Sequence, residues 1–106
     1  MRLGKVIKQI IKDKGVFENY IAEKAGISSP YLSNIESGVK NPTLETLLKI
    51  SNALDIPMFV LVYFAIEETD VSEQNIINFQ ENTKKVDIMI ESIFRIKRPQ
   101  LKPHTT

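Results

Sequence analysis

Side chains able to do covalent chemistry are scarce in this 106-residue sequence, and the scarcity narrows what it can do. Cysteine is absent, which removes disulfides and thiolate metal sites, and the single histidine, His104, lies in a Pro-flanked terminus. Zinc binding and cysteine catalysis are not expected. Asp70-Val71-Ser72-Glu73 has the spacing of a helix cap rather than of an acid/base pair, and neither a Ser/His arrangement nor a phosphate loop occurs. We therefore assign no catalytic residue, metal or cofactor. What stands out instead is the run from Glu18 to Asn34, whose spacing encodes two short helices meeting at a tight turn.

The elements of this run are legible within it. Between Glu18 and Asn34 the apolar residues Ile21, Ala25, Ile27, Leu32 and, just beyond, Ile35 face one shared core, and Ala22 is small enough for a second helix to cross closely. Gly26 is placed to end the first helix in the left-handed conformation. Ser28 stands where an N-cap is wanted, and Pro30 falls in the first turn, where its missing N–H breaks no bond. The spacing predicts two short helices, about 18–25 and 29–37, joined by a tight turn: a helix-turn-helix.

Further out, Leu3, Val6, Ile7, Ile10 and Ile11 make the stripe of an amphipathic first helix, with Lys5, Lys8 and Lys12 on its wet side and Gly15 at its end. Thr43 is placed to cap a fourth helix bearing Leu44, Leu47, Leu48, Ile50 and Leu54, which must end before Pro57. A fifth, Met58 to about Glu67, is apolar almost all round, so it fills the core or meets another subunit. Asp70 is expected to cap a long sixth helix reaching about Ile96, whose second half carries more apolar surface than one stripe requires. The expected fold is all-α: a five-helix bundle over 1–68, an additional C-terminal helix over 69–97 that dimerises, and a basic, disordered tail over 98–106.

A chain of this size has room for one core and should bury roughly 60–70% of its unfolded surface. Net charge is only +1, but it is unevenly spread. The stretch 67–91 sets Glu67, Glu68, Asp70, Glu73, Glu81, Asp87 and Glu91 against Lys84 and Lys85 alone, whereas Arg95, Lys97, Arg98 and Lys102 follow with no acid. The lysine-threaded N-terminus does not resemble a signal peptide, and the longest apolar run, Met58 to Ile66, falls well short of the ~20 residues of a membrane span. A soluble, cytoplasmic protein with no membrane partner is expected.

The pieces AEKAGIS, YLSNIESG and NPTLETLLKI resemble the Cro/repressor type of helix-turn-helix domain, the Xre family, over about Leu3 to Ile66. The resemblance implies a five-helix domain whose third helix enters the major groove of double-stranded DNA, usually as a homodimer on half-sites about 34 Å apart. By position it implies base reading by Ser29, Pro30, Ser33 and Asn34, and phosphate contacts from Ser28, Tyr31, Lys40 and Asn41. A dimer interface is expected at Phe59, Tyr63, Ile90, Ile93 and Phe94.

Two features depart from the family pattern. Phe17 and Glu18 replace the hydroxyl cap and glutamine that begin helix two, and the third helix offers no Lys or Arg for bidentate contact with guanine. Asn34 remains able to bond adenine, and Pro30 to pack on a thymine methyl, so A·T-containing half-sites are expected. A sequence-specific transcriptional regulator, a repressor, follows from the resemblance. The alternative is a protein-interaction module, an antitoxin or anti-regulator, with a partner docked on the acidic 67–91 region.

Overall fold

Apolar periodicity, caps and left-handed glycines account for the first five helices. The computed structural model describes residues 1–102, which contain α1 (Leu3–Lys14), α2 (Glu18–Ala25), α3 (Ser29–Glu36), α4 (Leu44–Ala53), α5 (Met58–Ala65) and α6 (Ile76–Phe94), with no strand among them. Gly26 ends α2 with φ 71° and hands the chain to α3. Thr43 caps α4, its hydroxyl accepting the Thr46 N–H at 3.1 Å.

The core is one cluster. Val6, Ile7, Ile10 and Ile11 of α1 meet Ile21, Ala22 and Ala25 of α2, Leu32 and Ile35 of α3, Leu47, Ile50 and Ala53 of α4, and Val60, Leu61, Phe64 and Ala65 of α5. Helix α5 turns Val60, Leu61, Phe64 and Ala65 into this cluster and leaves Phe59 exposed. Ser51 is a buried polar residue in this shell, and its hydroxyl donates to the Leu48 carbonyl at 2.8 Å. On α4, Leu44 and Leu48 are rotated off the buried face and stand exposed, unlike Leu47 and Ile50.

Helices α1 and α3 touch backbone to backbone. A Cβ at Gly4 would lie 2.2 Å from the Ile35 carbonyl oxygen and 2.8 Å from that of Glu36, so a side chain there would push the two helices apart. The absence of a side chain at one residue of α1 thus sets how α3 sits in the bundle.

Beyond α5 the structure corrects two expectations. Asp70 does not cap α6: its carboxylate accepts the Glu67 N–H at 2.9 Å, closing a capping box on a 3-10 turn, Glu68–Asp70. A second such turn, Glu73–Asn75, intervenes before α6 opens at Ile76. The tail, expected to be disordered from Arg98, instead folds back over residues 98–102. Pro99 is buried, Leu101 packs on the core, and the Arg2 guanidinium donates to the Lys102 carbonyl. Residues 103–106, with His104, lie outside the described residues.

Arg98 organises this return. Its guanidinium grips Asp87 of α6 in two hydrogen bonds of 2.7 and 3.0 Å, donates a third to the Phe64 carbonyl at 3.2 Å, and lies 5.2 and 5.0 Å from the ring centres of Tyr63 and Phe64. Charge pairing, carbonyl capture and aromatic stacking converge on one side chain.

Candidate nucleic-acid interface

The exposed start of α3 is built by its cap. Ser28 is extended (φ −77°, ψ 151°), and its Oγ accepts the Tyr31 N–H at 3.2 Å, which fixes the first turn with Pro30 inside it. Leu32 and Ile35 are buried, so the opposite side of a helix pinned by that pair must face outward. Ser29, Pro30 and Ser33 are exposed there, with Asn34 half-buried one turn on.

The flank after α3 is held to the same unit. The Lys40 N–H donates to the Asn34 carbonyl at 3.1 Å, and the Lys40 ammonium lies 6.0 Å from the centre of the half-buried Tyr31 ring. Asn41 follows, exposed. All eight residues named for DNA contact therefore lie on one capped helix and the loop that returns from it. At the start of α2, Phe17 offers no side-chain cap and is 80% exposed, and Tyr20 is also exposed, with the Lys24 ammonium 5.9 Å from its ring centre.

Two acidic residues of this unit were not singled out as a pair by sequence reasoning, although the signal was present. Glu36 follows Leu32 and Ile35 at i+4 and i+1, on the inner face of α3, and Glu18 precedes the buried Ile21 and Ala22 by three and four residues, at the exposed start of α2. In the structure Glu36 is buried, its Oε2 has no hydrogen-bond partner, and it faces the Glu18 carboxyl. Burial is the largest cause that pushes the Glu36 carboxyl up to about 7, the neighbouring Glu18 carboxyl adds to the rise, and Lys8 pulls the other way.

The five residues expected at a dimer face divide. Phe59 and Ile93 are exposed and Phe94 is partly so, with the rings of Phe59 and Phe94 edge to face at 5.7 Å. Tyr63 is half-buried, its hydroxyl sharing a hydrogen bond with Thr83 Oγ1 at 2.8 Å. Ile90 is only 5% exposed, because α6 leans on α5 and places that side chain in the protomer's own core, and it is withdrawn from the interface. Ile77, Ile88 and Met89 of α6 are exposed apolar residues that the expected face omitted.

Among the described residues no group of acidic or histidine side chains could hold a metal, and no single helix is long and apolar enough to cross a membrane.

Comparison with known proteins covers this same part of the chain. A family model described as helix-turn-helix matches residues 7–61. The HTH-type transcriptional regulator SinR of Bacillus subtilis is 41% identical over 61 residues, which are 57% of this chain and 55% of SinR. The immunity repressor protein of Bacillus phage phi105 is 38% identical over 74 residues, 70% of this chain and 49% of the repressor. The chain thus spans about half the length of the curated relatives it matches. A crystal structure of SinR, the master regulator for biofilm formation, in complex with DNA superimposes with a TM-score of 0.53 at 41% identity, over 57% of this chain and 97% of that one. Since the matched segment takes in both helices of the turn motif and most of the core beneath them, the chain belongs to the helix-turn-helix family, in its Cro/repressor or Xre branch.

Proposed function

We propose that the chain is a sequence-specific DNA-binding transcriptional regulator, a repressor, that reads a two-half-site operator as a homodimer with α3 in the major groove. The observation that carries this reading is the capped, outward-facing first turn of α3, displaying Ser29, Pro30 and Ser33 beside Asn34. Ser28, Tyr31, Lys40 and Asn41 are the phosphate contacts, and the α3 N-terminus adds its partial positive charge. The likeness to SinR in complex with DNA supports the same placement. Repression follows from occupying a promoter, in the cytoplasm and without a cofactor.

Dimerisation is needed by the energetics. A reading helix without Lys or Arg binds weakly alone, and a second copy on a neighbouring half-site raises affinity through effective concentration. Phe59, Ile93 and Phe94, with Met89 beside them on α6, form the apolar surface proposed for the partner copy. Selection from a random-sequence duplex library, followed by sequencing and sedimentation of the complex, tests the reading. A two-part motif bound by two chains is the expected result; no salt-sensitive binding at low ionic strength overturns it.

A second reading keeps the fold but docks a protein on the 67–91 region, where Ile77 and Ile88 stand exposed on α6 with Glu81 and Glu91 on the same helix. Co-purification of a neighbouring-gene product would favour it.

A further inference from the structure

Glu36 occupies a core position on α3, and its neighbours decide what it can do there. From α2 it faces Glu18; from α1 it faces Lys8. Arg2 at the cap of α1, Lys5 on α1 and Lys40 of the α3–α4 loop line, with Glu36, a cleft of about 190 Å³. The second acid is the closer constraint. One oxygen of Glu36 is buried without a partner, and the carboxyl opposite it begins the helix whose start lies toward the phosphates in the reading proposed above. Two carboxylates in contact cannot both be charged cheaply, and a single proton shared between them removes the conflict.

We propose that Glu18 and Glu36 hold one proton between them, and that this proton keeps Glu18 turned beneath the reading helix, so that protonation of the pair strengthens duplex binding. The proposal rests on the DNA-binding reading. When the proton leaves, the two charges repel, Glu36 is fixed by its buried position, and Glu18, at an exposed helix start, is the one that moves outward. An outward carboxylate adds negative charge where phosphate must approach. By linkage the converse holds: a bound duplex raises the proton affinity of the pair, and binding near neutral pH takes up a proton. Glu36 is thus a positioning residue, acting on DNA through Glu18.

The experiment measures affinity against pH at fixed ionic strength, using a duplex the protein itself recovers from a random library at pH 6, in a His104→Gln background that removes the one imidazole. Affinity should fall about five- to tenfold between pH 6 and pH 8, the most that one proton over that span readily gives. Glu36→Gln, whose amide can donate to Glu18 as the shared proton does, should bind at pH 8 as tightly as the parent at pH 6, with a flat profile. Glu18→Gln, a change at an exposed position that leaves the core intact, should also be flat and covers the case in which the Glu36 variant does not fold. A parent profile that persists in Glu18→Gln overturns the proposal. A carbon-13 titration of the free protein tests the pair without DNA: a Glu36 carboxyl titrating near neutrality supports it, and one titrating with the ordinary glutamates overturns it. Recovery of no duplex, with Glu36 still titrating near neutrality, overturns the DNA reading and the linkage built on it but leaves the shared proton standing.

Discussion

Asn34 and Lys40 lie within one hydrogen bond of each other along the backbone, yet their side chains are assigned different tasks. Asn34→Ala should weaken binding to the selected operator by about 1–3 kcal/mol while leaving affinity for random duplex almost unchanged, because only a base contact is lost. Lys40→Ala should instead lower affinity for every duplex and reduce the salt slope by about one, as a phosphate contact does. Competition titrations at several salt concentrations separate the two outcomes. Much of this residue-scale picture was legible before any coordinates. Ser28, Gly26 and Thr43 act through bonds to residues three or four positions away, and short-range partners are what sequence spacing encodes. The Glu18–Glu36 pair was harder to see, since carboxylates are ordinarily placed outside and their meeting shows only once two helices are laid together.

At the scale of elements, boundaries from α1 to α5 follow local rules and agree with the sequence to within a residue or two. The region after α5 does not, because most of its partners are distant and a nearer one competes for the cap. Asp70 is taken by Glu67 and by the Met1 amine, 3.0 Å away, and so is lost to α6 as a cap. Arg98 is tied to Asp87 and to the Phe64 carbonyl, neither of which spacing could announce. The contact of α1 with α3 is equally nonlocal and gives a sharp test. Gly4→Ala should destabilise the domain by about 1–3 kcal/mol, measured by urea unfolding, because the added methyl meets backbone rather than a side chain that can swing away. On α6, Ile93→Glu should shift sedimentation toward the monomer with a stability change within about 0.5 kcal/mol, since Ile93 is 65% exposed in the protomer.

For the whole molecule, the buried carboxyl couples folding to pH. Glu36 binds its proton more tightly folded than unfolded, so its contribution to stability is fully present below about 4.5 and is lost as pH rises toward about 7. Chemical unfolding across that window should show the parent losing up to about 3 kcal/mol relative to Glu36→Gln. The opposite slope would mean that Glu36 is held as a charged partner of Lys8. A second consequence belongs to Arg98. By gripping α6 through Asp87 and the end of α5 through the Phe64 carbonyl, it works as a corner brace between the two helices that carry the surface proposed to join two copies. The wheelbase of such a pair is then set far from the helix that reads letters. Loosening the brace would change which gap between paired target motifs is accepted, while the letters preferred in each motif stay the same.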